Sequence, residues 1–118
     1  MQNTGIDTYL TISEAWGLTP EENLALFGWP SHQHFDDRMM AEDDTTPPEF
    51  EQRLPMVIGI HNALRMLLPD SAQAHTWMRQ PNHEPFFGGL SAIDYIRAQG
   101  LDGLLRVHGY LMRQVGGR

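Results

Sequence analysis

Start and stop signals for helices recur along this chain and leave no stretch with the pattern of a β-strand. Residues 19–22 read Thr-Pro-Glu-Glu, which is the pattern of a capping box with proline at the first helical position. Gly28 provides the matching stop, and Asp70 and Ser91 are further N-cap candidates in front of helical stretches. We therefore predict an all-α fold, a small bundle of six or seven helices.

The predicted helices follow one another through short connections, except at a joint near residues 41–48 that combines acids with Thr and Pro. This joint divides the chain into a helix-turn-helix-like region, residues 1–46, and a helical region, residues 47–118. Pro55 lies inside the long helix after the joint, so we expect either a kink there or a regular start near Leu54. The helices are placed at residues 8–15, 20–27, 31–40, 48–68, 71–80 and 91–98, with a last one beginning at residue 101.

The two longest predicted helices each carry one apolar stripe with spacings of three and four residues, which is typical of a single buried face. In the helix at residues 48–68 the stripe comprises Phe50, Leu54, Val57, His61, Leu64 and Leu68. In the last helix it comprises Leu101, Leu104, Leu105, His108, Leu111, Met112 and Val115. We expect both stripes to face the core.

Composition excludes several classes of protein. A chain of 118 residues is one domain's worth of polypeptide, and 41% apolar residues supply a core. The absence of cysteine excludes disulfides, thiolate nucleophiles and Cys-ligated zinc, and is compatible with a reducing cytoplasm. With no long apolar run and no signal-peptide pattern at the N-terminus, we expect a cytoplasmic protein with no membrane partner.

The net charge of −7 is unevenly distributed along the chain. Residues 1–51 hold eleven acids and one base, whereas residues 52–118 hold seven bases and four acids. All eight bases are arginine, whose planar fork suits carboxylate or phosphate oxygens held in fixed geometry. The two halves are therefore predicted to have different roles, although a run of acids is also typical of a plain solvated surface.

Residues 19–40 have the helix, turn, helix order of a DNA-binding motif. In that hypothesis the second helix would contact DNA through Ser31, Gln33, His34 and Arg38. The same helix also carries Asp36 and Asp37, and phosphate contacts need positive charge. DNA binding thus remains an alternative to a helical hairpin that only packs.

No stretch of the sequence predicts an active site. The Gly-x-Ser-x-Gly elbow and the Gly-rich phosphate loop are both missing, so we predict no catalytic residues and no cofactor. Among the six histidines, His32 and His34 stand at a spacing that points to different helix faces. His61 and His108 lie on apolar stripes, where a core histidine is commoner than a ligand. We predict no metal site.

Residues 75–89 combine an aromatic helix end, an Asn beside Pro, and two adjacent Phe followed by two Gly. Trp77 is most simply a core anchor, and Asn82 is suited to brace the loop through its side chain. One neighbour cannot easily bury both Phe86 and Phe87, so at least one is expected to face a partner.

This stretch resembles the toxin-binding domain of the Xre/MbcA/ParS antitoxins. The resemblance rests on Trp77-Met78, Pro81-Asn82, Phe87-Gly88-Gly89, Ile93, Gly100 and the closing helix, and it covers about residues 50–115. Residues 16–28 are similar to the helix-turn-helix entry of that family. The resemblance implies a small all-α inhibitor, not an enzyme, that covers the active-site entrance of a RES-domain toxin, an enzyme that destroys NAD. Many such antitoxins also form homodimers and repress their own operon.

The arginine-rich C-terminal half is the expected contact with the RES-type toxin. Ordinary surface arginines, each contributing little, are the alternative interpretation. A DNA-binding regulator is the alternative function. The residues predicted to contact the partner are Arg79, Asn82, Phe86, Phe87, Arg106, Arg113 and Arg118.

Overall fold

The computed structural model of this protein describes residues 4–28 and 48–116, and these form six α-helices and one short 3₁₀ helix. The only β-type contact in these residues is an isolated bridge between Pro81 and Ser91. The predicted all-α class is confirmed. The α-helices are α1 (Thr4–Trp16), α2 (Pro20–Phe27), α3 (Pro48–Leu67), α4 (Ser71–Trp77), α5 (Ala92–Gln99) and α6 (Leu101–Gly116), and the 3₁₀ helix is Pro85–Phe87.

Local side-chain hydrogen bonds fix the helix starts that the sequence predicts. The Thr19 side chain accepts from the Glu22 backbone N–H, and the Glu22 carboxylate accepts from the Thr19 N–H, which completes the capping box. The Asp70 carboxylate accepts from two backbone N–H groups of α4, and the Ser91 hydroxyl accepts from the Asp94 N–H at the start of α5. Gly28 ends α2 in the left-handed conformation, with φ of 74°.

Helix α3 begins at Pro48, as predicted, and continues through Pro55, so it has no later regular start near Leu54. Two other predicted boundaries differ from those observed. Helix α1 begins at Thr4 instead of residue 8. Helix α4 ends at Trp77 instead of near residue 80, because the N–H groups of Arg79 and Gln80 bond three residues back and tighten the chain into turns. The predicted helix at residues 31–40 and the predicted domain joint lie outside the described residues. No helix in the described ranges has the length and apolar content needed to cross a bilayer.

The core is organised around the pairing of α3 with α6. Gly59 of α3 lies so close to His108 of α6 that a Cβ on it would stand 2.8 Å from the imidazole Nε2. Of the predicted α3 stripe, Phe50, Val57 and Leu64 are buried, while the other three members are only partly covered. Ile60 and Ala63 complete the buried face of this helix.

The buried side of α6 is rotated away from the predicted stripe. Leu104 and Leu111 are buried as expected, and Val107 is buried with them. Leu105 and Met112, which were predicted to face the core, are 48% and 37% exposed. They lie beyond the edge of the surface that α3 and α5 cover. The last helix therefore carries these two apolar side chains on its outer side and not in the core.

The two N-terminal helices pack onto the same core as the C-terminal ones. Tyr9 of α1 contacts Phe27 and Phe50 edge to face, with ring centroids 4.4 and 5.5 Å apart. Arg53 of α3 donates from Nη1 to the Ala25 carbonyl, a hydrogen bond of 2.6 Å at the C-terminal end of α2. Helices α1 and α2 are thus fixed to α3 by both aromatic packing and hydrogen bonding.

Candidate partner-binding surface

The loop between α4 and α5 is closed at its base by backbone hydrogen bonds. The Asn82 N–H donates to the Leu90 carbonyl at 3.0 Å, and the Ile93 N–H donates to the Met78 carbonyl at 3.1 Å. The Asn82 side-chain oxygen accepts from the Glu84 N–H at 2.9 Å, which is the bracing role that the sequence predicted. The loop therefore has a defined shape in the free chain.

Phe87 lies inside the protein, although it was predicted as a partner contact. Its side chain is only 1% exposed. It packs edge to face against Trp77, Tyr95 and Tyr110, with ring centroids 6.2, 5.4 and 6.0 Å away. The prediction of direct contact by Phe87 is wrong for this conformation, because the 3₁₀ turn directs the ring inward to where three helices supply aromatic neighbours. Phe87 instead anchors the loop.

Several other predicted contact residues lie outside the described part of the chain. Arg118 lies outside the described residues, as do Ser31, Gln33, His34 and Arg38, which were predicted for DNA binding. The side chain of Phe86 is likewise outside the described part. Phe86 stays the predicted aromatic contact of the loop.

Arg79, another predicted contact, binds groups of its own chain. Its Nε donates to the Trp16 carbonyl at 2.9 Å, and its Nη2 donates to the Gly17 carbonyl, so it closes the C-terminal end of α1. Its two terminal nitrogens also bind the Glu22 carboxylate, at 2.6 and 3.2 Å. Arg79 thus joins the loop after α4 to the junction of α1 and α2.

The Glu22 carboxylate is held in its charged form by this arrangement. Burial acts to raise its pKa, but the hydrogen bond from Arg79, the backbone N–H of Thr19 and the Arg79 charge together outweigh it. The pKa of Glu22 consequently lies below the ordinary carboxyl value. A single carboxylate therefore serves both as the α2 capping group and as the ion-pair partner of the loop.

The Glu84 carboxylate of the loop lies beside the Tyr110 hydroxyl of the last helix. Burial raises the pKa of Tyr110, and the charge and hydrogen bond of Glu84 raise it further. The hydroxyl accordingly remains protonated and donates to the carboxylate. This contact places the loop and α6 side by side as parts of one surface.

The outer face of α6 consists of Leu105, Arg106, Gly109, Met112 and Arg113. Four of these residues, all except Met112, line a pocket of about 410 Å³. Sequence reasoning predicted the two arginines but assigned Leu105 and Met112 to the core and did not single out Gly109. The signal that could have found this face is a pair of arginines seven residues apart with a glycine between them.

Histidines form no ligand set in the described part of the chain. No group of three His, Asp or Glu side chains there is arranged to hold a metal ion. His61 and His75 stack with ring centroids 6.4 Å apart, and Trp16 lies 6.2 Å from His61. Burial, assisted by the charges of Arg65 and His75, lowers the pKa of His61. The lowered pKa favours the neutral form of the His61 ring, which is partly buried in this stack.

Comparison with known proteins identifies the region that contains this surface. Residues 63–117 match the model of the antitoxin Xre/MbcA/ParS C-terminal toxin-binding domain. The uncharacterized protein y4oB of Sinorhizobium fredii (strain NBRC 101917 / NGR234) is 31% identical over 112 residues, which is 95% of this chain and 84% of that relative. No solved structure matches the chain at a significant level. The braced loop and the whole of α6 lie within the matched region, and this part of the chain belongs to the antitoxin Xre/MbcA/ParS C-terminal toxin-binding domain family.

Proposed function

We propose that this chain neutralises a RES-domain toxin, an NAD-degrading enzyme, by covering the entrance to its active site. The observation that carries this proposal is the coincidence of the family's toxin-binding domain with the braced loop and the outer face of α6. The family assignment supports an antitoxin role in general. The RES class of the toxin follows from the resemblance of the sequence.

In this proposal the chain binds and performs no turnover. Its loop and last helix supply shape and positive charge, and the reaction with NAD belongs to the partner. The free chain already holds the Asn82 loop closed through hydrogen bonds, so little ordering is left to be done on binding. Such a preformed surface suits an inhibitor, and its site of action is the cytoplasm, where the toxin meets NAD.

The proposed contacts with the toxin are direct for some residues and indirect for others. Asn82 and Phe86 in the loop, Arg106 and Arg113 on α6, and Arg118 after it are proposed to contact the toxin directly. The guanidinium nitrogens of Arg79 bind Glu22 and the backbone carbonyls of Trp16 and Gly17, so we assign Arg79 a positioning role. DNA binding through residues 31–38 and homodimer formation stay predictions beside this function.

Co-expression tests the proposal. The chain, carrying a C-terminal tag, is expressed together with the product of the adjacent reading frame and captured from the lysate. A stable complex that survives gel filtration is the expected result. Failure of the two proteins to co-purify would contradict the proposed function.

An NAD assay tests the class of toxin. The adjacent gene product alone is expected to consume NAD, and an equimolar amount of this chain is expected to stop the reaction. The matched control is the chain alone, which should leave NAD unchanged over the same period. A partner that leaves NAD intact, or consumption of NAD by the free chain, would overturn the assignment.

A further inference from the structure

The geometry points to a specific chemistry for the outer face of α6: its pocket receives an acidic segment of the toxin, one carboxylate with an apolar neighbour. This inference rests on the proposed function and deepens it, since it names what the partner presents. All of α6 lies within the region that matches the toxin-binding domain. For this reason we infer that the toxin, and not another molecule, binds in the α6 pocket.

Helix geometry places the two arginines on either side of a gap. Arg106 and Arg113 are seven residues apart, so they lie two turns apart on the same side, separated by roughly 10 Å along the helix axis. Gly109 lies between them and has no side chain. Among the described residues, a Cβ on Gly109 would come within 4 Å of one atom, the Arg113 Nη1, at 3.6 Å. The missing side chain leaves room for the Arg113 guanidinium to lie over Gly109, so this positive group stands at the floor of the pocket.

Among the described residues, nothing pairs with the charges of these two arginines. Within residues 4–28 and 48–116, Arg53, Arg79 and Arg97 bind groups of their own chain, whereas Arg106 and Arg113 have no hydrogen bond or ion pair. Asp102 stands one turn before Arg106 without pairing to it. A guanidinium binds carboxylate or phosphate oxygens in a two-point geometry, which makes an oxyanion the matched ligand.

The apolar part of the face indicates a protein segment and not a nucleic acid. Leu105 lines the pocket, and Met112 is exposed beside it on the same side of the helix. A phosphate backbone offers no apolar partner to these two side chains. An acidic segment with an apolar residue would use the two arginines and the two apolar groups together.

Three variants test the inference against the purified product of the adjacent reading frame. Gly109→Leu fills the pocket without removing a charge, and the double variant Arg106→Gln/Arg113→Gln removes the charges but keeps the stems. Arg65→Gln is the matched control, because Arg65 is exposed and equally unpaired within the described residues but lies on α3. Affinity is measured by titration calorimetry, and thermal unfolding checks that each variant is folded.

We expect Gly109→Leu and the double arginine variant each to weaken toxin binding by about tenfold or more, while Arg65→Gln stays within about twofold. Raising the salt from about 50 to about 300 mM should weaken binding of the unmodified chain more than that of the double variant. Equal affinity of all variants for a toxin that the unmodified chain does bind would overturn the inference and leave the proposed function intact. If the unmodified chain does not bind at all, the proposed function itself fails.

Two further readouts separate the toxin from other occupants. Sedimentation of the free variants should equal that of the unmodified chain, and a labelled 20-base-pair duplex, about two helical turns long, should bind none of them through this face. If the α6 variants abolish self-association, the pocket belongs to a second copy and the inference is overturned. If they abolish duplex binding, it belongs to nucleic acid, with the same consequence.

Discussion

Arg79 and Glu22, which are 57 residues apart in the sequence, form a two-point ion pair with Nη2–Oε1 and Nη1–Oε2 distances of 2.6 and 3.2 Å. The Glu22 side chain is 7% exposed, while that of Arg79 is 38% exposed. The pair connects the capping box of α2 with the start of the α4–α5 loop. The N-terminal helices and the proposed toxin-binding surface are therefore coupled through one guanidinium.

Replacing Arg79 by Met should destabilise the protein by about 2–3 kcal/mol, because it leaves a buried carboxylate without its partner. Urea unfolding at neutral pH measures the change. Arg65→Met is the matched control, since Arg65 is exposed and has no ion pair within the described residues. We expect that control to cost no more than about 0.5 kcal/mol. Equal effects of the two substitutions would contradict a structural role for Arg79.

The lowered pKa of Glu22 predicts a loss of stability in acid. Because the folded-state pKa is below that of the unfolded chain, the contribution is fully present above the unfolded value and disappears as the pH falls through the folded value. Glu22→Gln should therefore be less stable than the unmodified chain near pH 7, and the difference should narrow as the medium is acidified through the carboxyl range.

Urea unfolding of both proteins at a series of pH values measures this narrowing. Glu21→Gln is the matched control, because Glu21 is the exposed neighbour of Glu22 and has no ion pair among the described residues. If the stability of Glu22→Gln changed with pH in parallel with that of the unmodified chain, the Glu22–Arg79 ion pair would be excluded as the source of the acid-sensitive stability.

Phe87→Ala should lower the stability of the fold, because Phe87 is a buried anchor of the loop and does not contact the toxin directly. Removal of a buried ring that packs against three aromatic side chains is expected to cost about 3–5 kcal/mol, measured by thermal or urea unfolding. Leu90→Ala, an exposed position of the same loop, should change stability by about 0.5 kcal/mol or less. A Phe87→Ala protein that keeps its full stability but loses the toxin would restore Phe87 as a surface contact.

Two glycines of α6 are predicted to respond to alanine in opposite directions. At Gly103 a Cβ would stand 2.8 Å from the Gln99 Cβ, 3.1 Å from the Ile96 Cα and 3.2 Å from the Tyr95 carbonyl oxygen. Backbone atoms cannot move aside cheaply, so Gly103→Ala should destabilise by about 1–3 kcal/mol. Gly109→Ala, at an open position of the same helix, should stabilise by about 0.5–1 kcal/mol through helix propensity.

The melting temperatures of the two variants, measured side by side, check this contrast. If Gly103→Ala proved as stable as Gly109→Ala, the close packing of α5 against the start of α6 would be wrong. The pair also bears on the α6 pocket, because it shows that position 109 accepts a side chain without loss of the fold.

Signals that act within one turn of the chain determined the helix starts. Thr19, Asp70 and Ser91 each satisfy backbone N–H groups two or three residues away, so no distant contact is needed to find them. The Asn82 brace is equally local, since its partner is the N–H of Glu84. For the same reason the family resemblance, carried by short motifs around the loop, was readable from the sequence alone.

Tertiary structure decided which sides of these elements are buried. Apolar residues of α6 occupy more than half of its circumference, so periodicity alone allowed Leu105 and Met112 to be taken for core, whereas the positions of α3 and α5 bury Val107 and leave those two outside. The inward turn of Phe87 and the internal bonds of Arg79 likewise depend on groups far away in the sequence. The helical periodicity of a sequence gives the angular positions of the apolar side chains around the helix axis. Which of these side chains are buried depends on where the neighbouring helices pack.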